Sequence, residues 1–545
     1  MLSDIEIAQS TEIKDITTIL GDEYKDMIEP YGKDMAKISY TYIDNEKVKN
    51  NNLILVTSIT PTNAGIGKTT VSIGLNDALN HIGKKSIAVL REPSLGPCFG
   101  MKGGACGGGY SQVIPMEKIN LHFTGDFHAI TAANNMLAAA LDNYLYQNKL
   151  GDSVKQILFK RCLDINDRSL RNIHYKIRKS DSNEITTGFN ITPASEMMAI
   201  FCLANNIEDL RNRIDNILLA ELIDNTYIYA KDLNITGSIV ALLSEAFKPN
   251  LVQSLEHNPV IIHGGPFANI AHGCNSIVAT KLGLSLREYV VTEAGFGADL
   301  GAQKFWDIKC QIARLTPACV VMVVTIKGLK RFTGDINDGF KNMLGHYLAL
   351  TKLGHKVIIT YNQHSDDSPE DIDKLKTYCF ERSIKCVENT CFVNGGRGAV
   401  RLARAVISQI EDEKHPNVKH TYYPFDTLDN KIKKILINSY RYTEPNIIFK
   451  DDEVKEKFNK VLNNIQYASY PVCIAKTQYS MTDDHTIVPI TKDDNQDFMI
   501  TDIEVNNGAG FIVVSAGNMM RMPGLPKEPA ATKIDFIDNK IIGLS

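Results

Sequence analysis

The chain of 545 residues lacks any apolar run approaching the ~20 residues that carry a helix across a bilayer. Its first residues, Met1-Leu2-Ser3-Asp4-Ile5-Glu6, are acidic and contain no apolar stretch of the signal-peptide kind, so a soluble, cytoplasmic protein is expected. It also lacks a charge excess: 59 Lys and Arg against 63 Asp and Glu leave −4, with no basic stripe interleaved with aromatics, which argues against a nucleic-acid binder. Its 11 cysteines are odd in number and have no metal-like spacing, which fits reduced thiols better than a disulfide framework and implies no zinc site. Neither His122 with His128 nor His263 with His272 has the i,i+4 spacing of a helical metal site, so structural histidines are expected, with the loop from His263 to Pro266 lining a cleft. There is no internal repeat.

What is present begins at Leu53-Ile54-Leu55-Val56, a run suited to a strand buried on both faces of a parallel sheet. It enters Thr60-Pro61-Thr62-Asn63-Ala64-Gly65-Ile66-Gly67-Lys68-Thr69-Thr70, after which Val71, Leu75, Ala78, Leu79 and Ile82 take helical spacing and Gly83 stops the pattern. Strand, glycine loop, helix is the order that points backbone N–H groups and a helix N-terminus at an anion. Lys68 can then reach β- and γ-phosphates and Thr69 can hold a magnesium ion, although Thr62 stands where the phosphate-loop pattern has its first glycine. The plainer alternative is a tight turn that happens to carry a lysine.

A second strand, Ser86-Ile87-Ala88-Val89-Leu90, is expected parallel to the first, which puts Arg91 and Glu92 at the sheet edge where such folds bind ligands. An arginine there can grip a carboxylate or phosphate with two parallel bonds; otherwise Arg91 and Glu92 are a surface pair. From Gly100 to Tyr110 six of eleven residues are glycine, enough for backbone to wrap an anion, the alternative being a flexible linker. Further strands are expected at 260–262, 289–291, 319–324, 357–359, 472–474 and 511–514, with helical spacing between them. An α/β protein with a mostly parallel sheet and two or three domains follows. Turn-forming residues at 414–416 and 424–430 and a polar, acidic stretch at 482–497 are candidate boundaries, and 441–470 reads as a charged, solvated helix.

These motifs, with Arg91-Glu92-Pro93-Ser94-Leu95-Gly96-Pro97, Asn120-Leu121-His122-Phe123-Thr124-Gly125-Asp126, the segments 263–276 and 292–302, Ala475-Lys476-Thr477-Gln478-Tyr479-Ser480 and Met522-Pro523-Gly524-Leu525-Pro526, resemble the formate–tetrahydrofolate ligase (10-formyltetrahydrofolate synthetase) family over nearly the whole chain. The resemblance implies a P-loop-type, mostly parallel sheet with helices on both faces, plus smaller α/β domains. It divides the chain into a nucleotide- and formate-binding part at 1–340, a part bordering the folate cleft at 341–440 and a part completing the adenine site at 441–545. It implies ATP, Mg2+ and tetrahydrofolate, allows a monovalent cation, and points to a homotetramer.

In that chemistry formate, a charged and unreactive acyl donor, is phosphorylated by ATP to formyl phosphate, which the N10 amine of tetrahydrofolate attacks. Lys68, Arg91 and Asp126 would be catalytic: Lys68 and magnesium on Thr69 neutralising the transferring phosphoryl group, Arg91 holding formate, and Asp126 accepting the N10 proton unless it only caps the helix that begins near Ile130. Thr60, Gly65, Gly67, Thr69, Thr70, Glu92, Gly103, Gly104 and Tyr110 would contact nucleotide and acyl phosphate, the glycine run excluding water. Pro523, Gly524 and Leu525 would contact adenine, and Phe392 would stack on the pterin.

Departures from the family pattern that are chemically large gather on the folate side; on the nucleotide side Ile66 replaces a glutamate, Cys98 a serine and Cys106 an alanine or serine, which are small changes. Lys327 replaces an arginine, Phe332 an imidazole or amide, Thr333 a glycine, Phe392 a tryptophan, and Gln363-His364 the second aromatic. Weaker stacking is expected. Two other functions therefore stay open: a paralogue that forms an acyl phosphate for another acceptor, and a P-loop ATPase switch, which needs neither Arg91 nor the glycine run.

Overall fold

The computed structural model describes residues 2–101, 106–413, 416–486, 496–517 and 519–544. Its largest sheet contains β1 (Ile28–Tyr31), β2 (Met35–Ile38), β3 (Asn52–Ser58), β4 (Ser86–Leu90), β5 (Asn250–Ser254), β6 (Pro259–Ile262), β7 (Tyr289–Glu293), β8 (Cys319–Val324), β9 (Val357–Asn362) and β10 (Cys386–Asn389). Their spatial order is β1-β2-β5-β6-β4-β7-β3-β8-β9-β10. From β6 to β10 all neighbours are parallel, whereas β1, β2 and β5 form an antiparallel edge. The β-branched runs are there because both faces of a parallel sheet are covered: every residue of β3, β4, β7 and β8 is buried.

The expected strands all form, and β3 and β4 are parallel but not adjacent. β7 lies between them, pairing Glu293 with Val56 on one side and Thr292 with Val89 on the other. Parallel strands need long crossovers, and here the crossover leaves a slot that a much later segment fills. Helix α1 (Lys68–His81) buries Val71, Leu75, Ala78 and Leu79 completely, and the chain leaves it through Gly83 at φ 79°. Helix α2 (Asp126–Gln147) starts four residues before Ile130, with Gly125 at its N-cap.

β9 and β10 extend the same sheet past residue 340. A second core gathers buried residues from Tyr422 to Ala516. It contains a three-stranded sheet in which Phe511–Ser515 pairs in parallel with Val472–Ala475 and antiparallel with Asp502–Asn506. Segment 441–470 is not one solvated helix: Asn446–Phe449 is a strand, and the helix is confined to Asp452–Leu462. The charges there had hidden an apolar pair at i,i+4 spacing, Val454 and Phe458, which is buried on the second core. The boundary candidates at 414–416 and 482–497 lie partly outside the described residues. Among the described residues no helix is long and apolar enough to cross a membrane.

Candidate functional site

The loop between β3 and α1 closes on itself where Gly65 N–H donates to Thr62 O at 3.0 Å and Thr62 Oγ1 donates to Gly65 O at 2.7 Å. Gly67 is the N-cap of α1 at φ 80°, and a Cβ there would stand 2.6 Å from Asn362 Nδ2. That amide, at the end of β9, donates to Ile66 O at 3.3 Å, so both conformation and the neighbouring strand demand glycine. Lys68 is the first helical residue, half-buried, with Nζ 3.5 Å from Ser58 Oγ. Thr70 is buried, its carbonyl accepting from Cys391 Sγ at 3.5 Å, and Thr60 is held from behind by Asn342 and His346.

Thr69 Oγ1 donates to Glu293 Oε2 at 2.9 Å, and the other oxygen of that carboxylate lies 3.7 Å from Arg91 Nη2. Three neighbouring strand ends thus meet: α1 after β3, Glu293 closing β7, and Arg91 after β4. Arg91 also donates to Pro266 O at 3.3 Å, while its buried Nε has no partner among the described residues. Beside it Glu92 is buried, with its N–H on Gly264 O at 2.8 Å and one carboxylate oxygen unpartnered among the described residues. Burial, reinforced by nearby Asp126, pushes the Glu92 carboxyl well above the usual carboxylate range.

Asp126 opens α2 fully buried. Its Oδ1 accepts from Lys37 Nζ at 2.6 Å and its Oδ2 from Asn250 Nδ2 at 2.7 Å, and its side chain makes no cap to the helix backbone. Lys37 is itself buried on β2. Taking one member out of such a pair costs about 3–5 kcal/mol, because the other charge stays buried.

Tyr110 and Phe392 are brought together, Tyr110 N–H donating to Phe392 O at 2.8 Å. The adjoining glycines allow this approach: a Cβ on Gly109, at φ 57°, would lie 2.0 Å from Phe392 O. Gly103 and Gly104 lie outside the described residues. The Pro523-Gly524-Leu525 turn packs on a different segment: Leu525 O accepts from Arg168 Nη2 at 2.5 Å and Met522 O from Arg171 Nε at 2.9 Å. Of the histidines, His263 is satisfied by Ser276 Oγ at 2.6 Å and Ala246 O at 2.8 Å. His272 is buried with neither ring nitrogen partnered among the described residues.

The residue that sequence reasoning did not assign is Glu293. Its signal was an acid closing the β-branched run Tyr289-Val290-Val291-Thr292. Arg331 was missed as well: it donates to Pro61 O in the phosphate loop and lies between the Phe332 and Tyr479 rings, 5.1 and 5.0 Å from their centroids. A guanidinium therefore stands four residues beyond Lys327.

Strand, glycine turn and helix, with a carboxylate at the end of the next strand, define an α/β protein of the phosphate-loop class. A family profile described as formate–tetrahydrofolate ligase matches residues 2–545. Formate–tetrahydrofolate ligases of Phocaeicola vulgatus and Bacteroides thetaiotaomicron are each 50% identical to the chain, with 100% of both chains covered. That of Porphyromonas gingivalis is 49% identical over the same full coverage. The chain belongs to the formate–tetrahydrofolate ligase family, and is thereby an enzyme of the ligase class.

Proposed function

We propose that this protein joins formate to tetrahydrofolate at the expense of ATP, passing through formyl phosphate and yielding 10-formyltetrahydrofolate, ADP and phosphate. The observation that supports the site most directly is the meeting of Thr69, Glu293 and Arg91 at three adjacent strand ends, with Lys68 one residue from Thr69. Hydroxyl and carboxylate oxygens are the donors a hard divalent cation takes, so Thr69 and Glu293 fit Mg2+. Bound there, Mg2+ would supply charge neutralisation for the phosphates.

The protein's own work is positioning. Gly65 and Gly67 shape the cradle and Lys68 balances charge on the transferring phosphoryl group. Arg91, whose buried Nε has no partner among the described residues, is assigned to hold formate in line. Glu92, whose carboxyl burial pushes well above the usual carboxylate range, stands beside it. Tyr110 is assigned to keep water, which would hydrolyse the mixed anhydride, from the site. Asp126 takes the N10 proton through water, since Lys37 and Asn250 occupy its oxygens. Phe392 stacks on the pterin, and Pro523 to Leu525 line the adenine end. The same reading assigns nucleotide and formate to 1–340, the folate cleft to 341–440 and the adenine side to 441–545. It takes the working enzyme as a cytoplasmic homotetramer, which light scattering tests directly.

Formyl hydroxamate trapping with ATP and formate, run with and without tetrahydrofolate, tests the whole. Hydroxamate that forms without tetrahydrofolate and falls when it is added supports the two-step path. Hydrolysis of ATP that ignores formate would favour the switch, and trapping that tetrahydrofolate does not relieve would favour another acceptor.

A further inference from the structure

Behind the phosphate loop lies a buried polar chain that the reaction as described leaves unused. Asn342 and His346 are four apart on one face of α3 (Ile336–Lys352), and both reach Thr60, the residue that opens the loop. Asn342 Nδ2 donates to Thr60 Oγ1 at 2.9 Å, and His346 Nε2 lies 3.0 Å from the same oxygen. On its other side the imidazole turns Nδ1 towards Asp299 Oδ1 at 3.9 Å, too long for a hydrogen bond, so this nitrogen has no hydrogen-bond partner among the described residues, while Asp299 Oδ2 accepts from Lys476 Nζ at 2.6 Å. Lys476 also donates to Ser480 O at 2.6 Å and sits 4.8 Å from the centroid of the Tyr440 ring, a member of the second core. His346 and Lys476 are wholly buried and Asp299 almost so.

The hydrogens follow from the partners. Burial pushes His346 down to about 4, so the ring is neutral near pH 7 and has one N–H. A carboxylate facing Nδ1 favours the hydrogen there, which leaves Nε2 to accept from the Thr60 hydroxyl while that oxygen accepts from Asn342. The Thr60 hydroxyl hydrogen and one lone pair of Oγ1 are thereby used, and rotation of the loop's first residue breaks two bonds in a region that water does not reach. Gly297 permits the arrangement, since a Cβ there would lie 3.3 Å from His346 Cε1 and 2.6 Å from Asp299 Oδ1.

We propose that His346 is a positioning residue for ATP: it fixes Thr60, and the Asp299 carboxylate that Lys476 holds beside the second core faces the other edge of its ring. The proposal rests on ATP binding at the loop as described above. The test titrates ATP–Mg2+ and tetrahydrofolate separately by calorimetry against wild type, His346→Ala, His346→Gln, Thr60→Val and the Thr60→Val/His346→Ala double variant. His346→Ala is expected to weaken ATP binding about tenfold and tetrahydrofolate binding less than about twofold, with the double variant no worse than the worse single one. His346→Gln, whose amide can accept from Thr60 and donate towards Asp299, is expected to bind ATP within about threefold of wild type. Should His346→Ala not fold, the Gln variant beside Thr60→Val carries the test: ATP binding lost equally in both overturns the proposal. Unchanged ATP affinity in His346→Ala, equal losses for both substrates, or additive losses in the double variant also overturn it. Wild-type protein that fails to bind ATP at all would instead overturn the function proposed for the loop.

Discussion

The phosphate end of the cleft and the acceptor end hold their charges in different ways. At the phosphate end Glu293 is buried and shared by Thr69 and Arg91, and Lys37 with Asp126 is buried close behind Glu92. At the acceptor end Lys327 pairs with Asp366 at 2.9 Å with both side chains 61% exposed, and Phe332 and Thr333 lie on the same open turn. Exposed pairs are worth about 0–1 kcal/mol, while breaking a buried one costs about 3–5 kcal/mol. Substitution at the acceptor end is therefore cheap for the fold, whatever it does to the substrate.

If this contrast is right, the largest loss comes from Lys68→Ala. Removing a mobile cation from a preorganised phosphate site should lower turnover by about 10³-fold, with the fold intact by circular dichroism because the side chain is half-exposed. Retention of more than about a tenth of the activity, ~1.4 kcal/mol, removes Lys68 from the role. Next is Glu293→Gln, which keeps the shape but not the charge; Mg2+ activation should weaken by about 10–100-fold while tetrahydrofolate binding stays constant. An unchanged Mg2+ titration would make Glu293 a partner of Arg91 alone.

Arg91→Lys should come third. A single ammonium cannot reproduce a two-pronged grip, so kcat/KM for formate should fall by about tenfold or more and ATP affinity by much less. Equal losses for the two substrates would take Arg91 out of the formate site. The smallest effect is at the acceptor end, where Phe392→Trp should tighten tetrahydrofolate several-fold, since a better aromatic stack is worth about 1 kcal/mol. ATP binding should not move. A wild-type protein that already binds tetrahydrofolate as tightly as its relatives would make the substitutions neutral.

The strands and the phosphate-loop helix were legible because each rests on a local period: β-branched runs for β3, β4 and β8, and a 3.6-residue stripe for α1. Family motifs carried the candidate residues beyond that. What stayed hidden depends on neighbours distant in the chain. Glu293 reaches Thr69 across 224 residues, and Lys37 reaches Asp126 across 89. No period or spacing shows that Gly109 exists to admit the Phe392 carbonyl, or that Val454 and Phe458 outweigh the charges around them. A buried lysine in particular reads from sequence as surface, because only its partner makes the burial affordable.

The position of β7 between β3 and β4 also sets a clock on synthesis. The phosphate loop and Arg91 leave the ribosome early, yet the strand that separates and joins them follows 224 residues after Thr69, roughly 10–45 s later at ~5–20 residues per second. During that interval β3 and β4 cannot pair through their native neighbour, and two apolar strands present bare edges to any other nascent chain. Glu293 is the last residue of the inserted strand, so the carboxylate that Thr69 and Arg91 share arrives with the segment that seals the sheet. Chains truncated before Tyr289 should gather in aggregates, and competence to bind Mg2+–ATP should appear in one step as the translated length passes Glu293.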